Sequence, residues 1–296
     1  MTATTNADLV TGRGTGPGVP LDPDLTALLR RLKLGKAVDT LPERLAIAKT
    51  NQMSHAEFLA LALADEAARR DSTSATLRAR AARLDPAMRL EAFDPDGARY
   101  DRTVWTQLTS LRVLDAARGA LILGPVGVGK THLATALGHI AVRRRAGVAF
   151  HRADQLFRTL KAARLDGTLA AEVRRLVRVD LLIIDDFALQ AMDPVATADF
   201  YELVAERHHK TSTIITSNRE PAEWILLMAD TLLAQSAVDR LVSTSYELLV
   251  EGSPTVAGNA PAHSPRANPH DKHGEASGII NSTPRWSQGR GNPVVP

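Results

Sequence analysis

The chain has 296 residues, of which 44% are apolar and none is cysteine, and its formal net charge is +3. This length permits one large domain or two smaller ones, and the absence of cysteine excludes disulfides, thiolate zinc sites and a cysteine nucleophile. Aromatic residues make up 4% of the chain, so stacking platforms for single-stranded bases are scarce. Because no apolar run reaches the length of a membrane span, we expect a cytoplasmic protein with no membrane contact.

The first part of the chain predicts a tail and a helical domain. Residues 1–23 are small and polar and predict a disordered tail. Residues 24–92 show apolar residues at helical spacing and predict a small helical domain. In it, Pro42 predicts the first turn of a second helix, and Ser54 with Glu57 predicts the capping box of a third. Its excess of basic over acidic residues is modest, so a solvated surface and a contact with DNA or a partner protein both remain open.

Residues 124–131 fit the nucleotide-binding pattern G-x-x-x-x-G-K-[ST]. A short strand is predicted before them at 120–123 and a helix after them at 131–144. Several backbone N–H groups and the positive end of the helix dipole then point at one place, which favours an anion. We therefore expect Lys130 to contact the β- and γ-phosphates of a nucleoside triphosphate and the Thr131 hydroxyl to bind Mg²⁺. The residues expected to line the phosphates are Gly124, Pro125, Val126, Gly127, Val128, Gly129, Lys130, Thr131 and His132.

Two helices with basic faces follow a predicted strand at 148–151. They are predicted at 153–164 and at 168 to about 177, and residues three or four apart along a helix share one face. Their cations are Arg158, Lys161, Arg164, Arg174, Arg175 and Arg178. These faces are the leading candidates for contact with the phosphate backbone of DNA, and a merely solvated surface is the alternative.

Residues 181–186 read Leu-Leu-Ile-Ile-Asp-Asp, which predicts a buried parallel strand that ends in two carboxylates. Open α/β sheets bind their ligands at the carboxyl ends of the strands. We expect Asp185 to hold Mg²⁺ and Asp186 to orient the attacking water. Asn218 ends another buried strand, predicted at 213–218, where it is placed to contact the γ-phosphate or the water.

The remaining pattern completes an α/β fold. Helices are predicted at 194–209, 221–228 and 231–242, and a last strand at 246–250. This alternation predicts a P-loop domain at 93–251, built on a parallel sheet with helices on both faces, in which residues 93–114 are a connecting segment. Residues 252–296 contain seven prolines and six glycines without periodicity, which predicts a second disordered tail.

Five strings resemble those of the IstB-like helper ATPases of insertion-sequence transposition, which are AAA+ proteins related to DnaC-type helicase loaders. They are LPER from Leu41, GPVGVGKTHLA from Gly124, LLIIDDFAL from Leu181, TSNREPAEW from Thr216 and AVDRL from Ala237. The similarity covers about residues 24–251. Together these strings are far more specific than a P-loop motif alone.

The resemblance implies ATP and Mg²⁺ as cofactors and ATP-dependent assembly of a homo-oligomer on duplex DNA. That oligomer would present a target site to a partner transposase. We expect little sequence preference for DNA because aromatic side chains are scarce. By the same resemblance, Asn218 corresponds to the polar sensor residue. Arg240, in the DRL string, corresponds to an arginine finger offered to the ATP of a neighbouring subunit.

Two departures from the family pattern concern hydrolysis. The family continues after its last strand with a string like Gly-Glu-Ser-Tyr-Arg, whose arginine would touch the nucleotide of the same chain. Here residues 251–255 read Glu-Gly-Ser-Pro-Thr, so that arginine is absent and a weaker ATPase is predicted. Asp186 also stands where many AAA+ proteins carry Glu, which shortens the reach to water.

Two other functions are compatible with the same ATPase core. One is a helicase loader in DNA replication, which recruitment of a replicative helicase instead of a transposase would identify. The other is an ATP-gated DNA-binding adaptor with negligible hydrolysis, which turnover measurements with and without DNA would identify.

Overall fold

The computed structural model describes residues 21–94 and 98–252, so most of the two predicted tails lies outside the described residues. The helices are α1 Pro23–Arg31, α2 Ala37–Thr50, α3 His55–Ala81, α4 Arg102–Thr109, α5 Arg112–Asp115, α6 Lys130–Arg143, α7 Ala153–Leu165, α8 Leu169–Arg178, α9 Pro194–Arg207, α10 Pro221–Leu227 and α11 Thr231–Thr244, with a 3₁₀ helix at Leu90–Ala92. The strands are β1 Ala98–Arg99, β2 Gly119–Leu123, β3 Val148–Arg152, β4 Leu181–Phe187, β5 Ser212–Ser217, β6 Ser245–Leu249 and β7 Glu251–Gly252. Within these ranges, no helix combines the length and apolar character needed to cross a membrane.

The predicted α/β fold class is confirmed by the main sheet. Strands β2 to β6 pair in parallel, in the order β3-β4-β5-β2-β6. β5 therefore lies between β2, which leads into the P-loop, and β4, which carries the pair of aspartates. Because all these strands run the same way, their carboxyl ends share one edge of the sheet.

Helices cover both faces of this sheet, so each strand contributes to two apolar cores. Successive side chains along a strand point to opposite faces. On β2, Ile122 joins the core beneath α3, α4 and α6, whereas Leu121 joins the core beneath α7 to α11. On β4, Ile183 joins the first of these cores and Ile184 joins the second. Burial on both faces explains why these strands read as continuous apolar runs.

The N-terminal helices confirm one predicted boundary and correct another. Ser54 and Glu57 form the predicted capping box, since the Ser54 N–H donates to Glu57 at 2.7 Å and the Glu57 N–H donates to Ser54 Oγ at 3.3 Å. The predicted start of α2 at Pro42 was wrong, because the helix begins at Ala37 and contains this proline. Proline gives up one helical hydrogen bond there, and the burial of Ala37 and Leu41 in the turn before it offsets this loss.

The connecting segment predicted at 93–114, in which no helix or strand was predicted, contains β1, α4 and most of α5. β1 pairs antiparallel with β7. Asp101 caps α4 by accepting hydrogen bonds from the N–H groups of Thr103 and Val104. Trp105 and Leu108 bury the inner face of the helix. An N-cap aspartate followed by apolar residues at helical spacing was the sequence signal for this helix.

Candidate nucleotide-binding site

The P-loop joins the end of β2 to the start of α6, as predicted. Gly124, Gly127 and Gly129 have positive φ angles of 150°, 86° and 92°. A Cβ at Gly124 would lie 2.1 Å from the Val250 carbonyl oxygen, and one at Gly129 would lie 2.8 Å from the Phe93 ring. Both conformation and space therefore require glycine at these two positions.

Lys130 is the first residue of α6 and is 8% exposed. Its Nζ donates to the Pro125 carbonyl oxygen at 2.6 Å, which turns the ammonium into the loop. Burial lowers the pKa of Lys130, and the charges of Asp186 and Asp185 oppose that shift. No carboxylate among the described residues forms an ion pair with this ammonium. A buried positive charge thus lies at a helix N-terminus, which is a favourable place for an anion.

Hydrogen bonds join the P-loop to β4 and β5. Thr131 Oγ1 donates to Asp185 Oδ2 at 3.1 Å, although these residues are 54 positions apart. Thr216 Oγ1 donates to Asp185 Oδ1 at 2.6 Å and accepts from the Asp186 N–H at 3.0 Å. Thr216 was not predicted as a site residue, and its only sequence signal was a polar side chain near the end of an apolar strand.

The two aspartates of β4 have different surroundings. Asp185 is buried, and burial raises the pKa of its carboxyl, while the hydrogen bond from Thr216 lowers this pKa and the charge of Asp186 raises it again. Asp186 has a positive φ of 55°, and its carboxylate lies 3.1 Å from a guanidinium nitrogen of Arg152. With Arg152 and Lys161 it lines a cavity of about 440 Å³. Arg152, which ends β3, was also missed by the sequence analysis.

The order of the strands brings most of the predicted residues to one edge of the sheet. Asn218 follows β5 directly and is exposed. Because β5 lies between β2 and β4, Asn218 stands between the P-loop and the aspartates. Lys130, Thr131, Asp185, Asp186 and Asn218 thus occupy the same carboxyl edge.

His132 lies beside this site and contacts the segment that precedes the P-loop. Its Nε2 lies 2.7 Å from the Arg89 carbonyl oxygen, and its ring meets the Phe93 ring edge-on at 5.2 Å between centroids. Through these two contacts, the His132 side chain packs the segment that contains Arg89 and Phe93 against α6.

Arg240 does not join the other predicted site residues. It lies near the end of α11 and lines a small cleft with Gly119, Thr211 and Ser245. Gly119 and Ser245 begin their strands, so this cleft lies at the amino edge of the sheet. A five-residue strand separates the two edges by about 15 Å. Arg240 therefore cannot reach the P-loop of its own chain.

The profile of the family described as IstB-like ATP binding protein matches residues 27–255. The chain belongs to this family. An insertion-sequence ATP-binding protein of Mycobacterium tuberculosis is 36% identical over 250 residues, which cover 84% of this chain and 96% of the relative. The IS21 ATP-binding protein of Pseudomonas aeruginosa is 34% identical over 230 residues, which cover 77% and 87%. The crystal structure of the DnaC helicase loader matches with a TM-score of 0.47 and 19% identity, over 56% of this chain and 98% of that one.

The resemblance predicted from the five strings is thereby confirmed, and the site of this IstB-like chain fits ATP with Mg²⁺. Mg²⁺ prefers oxygen ligands and is usually bound by one or two protein groups together with water and phosphate oxygens. The Thr131 hydroxyl and the Asp185 carboxylate supply two adjacent oxygens. Among the described residues, no group of three or more metal-ligating side chains forms a complete metal site. The buried charge of Lys130 complements a phosphate.

Four of the six basic side chains on α7 and α8 of this IstB-like chain are paired with acids. The pairs are Arg158 with Asp154, Lys161 with Asp193, Arg164 with Asp199 and Arg175 with Glu172. Arg174 and Arg178 are exposed, and no acid in the described part of the chain pairs with either. Within the predicted basic stripe, Arg174 and Arg178 are therefore the two cations that have no acidic partner in the described part of the chain.

Thr216→Val is expected to lower the free energy of unfolding by about 1–3 kcal/mol, because it leaves the Asp186 N–H and an Asp185 oxygen without their partner. Urea-induced unfolding measures this loss, and Thr216→Ser should restore most of it. Thr135→Val is the matched control, since the Thr135 hydroxyl is buried without a hydrogen-bond partner. If both valine variants were as stable as the unmodified protein, the hydroxyl of Thr216 would not hold the aspartates.

Proposed function

We propose that this IstB-like protein hydrolyses ATP, assembles as a homo-oligomer on duplex DNA and assists a transposase in selecting the target site. The observation that carries this proposal is the hydrogen bond between Thr131 of the P-loop and Asp185 of β4, beside the buried ammonium of Lys130. This arrangement supports binding of a triphosphate together with Mg²⁺. The names of the Mycobacterium tuberculosis and Pseudomonas aeruginosa relatives connect them with insertion sequences, which supports the role in transposition.

Each polar residue at the carboxyl edge has its own task in this proposal. Lys130 binds the β- and γ-phosphates, and Asp185 with Thr131 holds Mg²⁺, which would neutralise phosphate charge when bound. The Asp186 N–H is bound to Thr216, and its carboxylate, which lies beside Arg152, orients the attacking water and accepts its proton. Asn218 contacts the γ-phosphate or the water from the end of β5.

Hydrolysis in this proposal requires a second subunit. Arg240 lies at the opposite edge of the sheet from the P-loop of its own chain, so it serves the ATP of a neighbour. A guanidinium there stabilises the charge that develops on the γ-phosphate. Turnover in this proposal therefore depends on Arg240.

We assign contact with DNA to Arg174 and Arg178 on α8, within an ATPase domain at 93–251. The helical domain at 24–92 is then available to DNA or to the transposase. Because this role requires access to DNA, we propose that the protein is located in the cytoplasm.

The purified 296-residue chain tests this function directly. Turnover of ATP should be measurable and should rise when duplex DNA supports assembly, and the protein should capture a transposase. Negligible turnover with and without DNA would favour the ATP-gated adaptor. Capture of a replicative helicase in place of the transposase would favour the helicase loader.

Replacing Arg174 and Arg178 together with alanine is expected to weaken binding to all duplex sequences alike. The slope of log affinity against log salt should flatten by about 1.8, since each phosphate contact contributes about 0.9 for duplex DNA. Salt titrations with two unrelated duplexes measure both effects. Arg175→Ala is the matched control and should change the slope less, because Glu172 already binds this side chain at 2.7 Å. A loss confined to one duplex sequence would contradict backbone contact.

A further inference from the structure

Arg240 is held in place without an acidic partner. Its Nη1 donates to the Ser236 carbonyl oxygen at 2.9 Å and also bonds to the Ser236 hydroxyl, one turn earlier on α11. On another side its Cζ lies 5.4 Å from the centroid of the Tyr201 ring, which α9 supplies. No carboxylate among the described residues pairs with this guanidinium. It is therefore oriented while its charge stays unneutralised.

This environment differs from that of the arginines on α7. Arg158 and Arg164 are each bound to an acid, and that acid would have to be exchanged before the guanidinium could bind another anion. An aromatic face attracts a cation without occupying its N–H donors. Nε and Nη2 of Arg240 have no hydrogen-bond partner in the described part of the chain, so these donors are available to an incoming anion.

We infer that Tyr201 is a positioning residue for Arg240, and that its ring holds the guanidinium in the orientation in which the ATP of a neighbouring subunit meets it. This inference rests on the proposed arginine finger. A side chain that is already oriented loses less conformational freedom in the transition state, so the ring raises turnover more than it raises ATP affinity. The Tyr201 hydroxyl has no hydrogen-bond partner among the described residues, so the effect belongs to the ring.

Mixed oligomers of two variants of the 296-residue chain test this inference. Lys130→Ala removes the phosphate-binding lysine and keeps Arg240, whereas Arg240→Ala keeps the P-loop and removes the finger. Turnover recovered on mixing arises where Arg240 of one chain meets the P-loop of the other. Adding Tyr201→Leu to the Lys130→Ala chain is expected to reduce this recovered turnover about two- to fivefold, the rate equivalent of a cation–π contact at an exposed site.

Placement of the same change on the other chain is the decisive control. Tyr201→Leu in the Arg240→Ala chain should leave the recovered turnover unchanged, because no guanidinium is present there for the ring to hold. Tyr201→Phe in the Lys130→Ala chain should also leave it unchanged, since the aromatic face remains. The KM for ATP should stay the same in every mixture.

The outcomes separate failure of this inference from failure of the proposed function. If Tyr201→Leu lowered the recovered turnover equally in the Lys130→Ala chain and in the Arg240→Ala chain, the ring would have a structural role and the inference would be overturned. If Tyr201→Leu lowered the turnover in neither chain, the inference would also be overturned. If the parent mixture recovers no turnover although pull-down shows that mixed oligomers form, the arginine finger itself is overturned.

Discussion

Arg240→Ala is expected to reduce ATP hydrolysis by the assembled protein at least about a hundredfold, while the isolated subunit keeps its affinity for ATP. The guanidinium acts on charge that develops in the transition state, so its removal affects turnover more than binding. It also lies at the amino edge of the sheet, away from the P-loop of its own chain. Steady-state turnover and a separate nucleotide-binding titration measure the two quantities.

Arg145→Ala is the matched control for this change. Arg145 is an exposed arginine that pairs with Asp71 at 2.7 Å, and its replacement should leave turnover unchanged. Normal hydrolysis by Arg240→Ala would contradict the finger. A loss of ATP affinity in the isolated subunit would instead indicate that Arg240 acts within its own chain.

Lys130→Ala is expected to weaken ATP binding roughly ten- to a hundredfold, since a hydrogen bond to a charged group contributes about 1.5–3 kcal/mol. ATP-dependent assembly of this variant by itself on DNA should be lost with it, whereas it can still join a neighbour whose own P-loop binds ATP. Titration with a fluorescent ATP analogue measures the affinity. The fold should survive this change, because burial already lowers the pKa of Lys130 and the charge is not held by an ion pair.

A thermal unfolding curve without nucleotide checks that the Lys130→Ala protein is folded. Lys210→Ala supplies the matched control, because Lys210 is an exposed lysine that lies 3.2 Å from Glu206. Its replacement should leave ATP affinity unchanged. Unaltered ATP affinity in Lys130→Ala would show that the P-loop does not bind the phosphates in the proposed way.

The local parts of the candidate site could be predicted from the sequence alone. Residues 124–131 and 181–186 are continuous strings, and their strand, turn and helix form where their own residue types favour them. The capping box at Ser54 follows from two residues three positions apart. The start of α2 at Pro42 was predicted wrongly, because burial of the preceding turn outweighed the local preference of proline.

Only the tertiary structure decided which of these segments meet. It placed β5 between β2 and β4, so that Thr216 forms hydrogen bonds with both aspartates of β4. It also placed Arg240 at the opposite edge of the sheet. In addition, it gave Arg164, one of the cations in the predicted basic stripe, an acidic partner in Asp199, 35 positions away along the chain. The physical reason is that buried parallel strands all read as similar apolar runs. Their periodicity determines that a strand forms, whereas packing of the whole chain determines its neighbours and therefore the partners of each polar side chain.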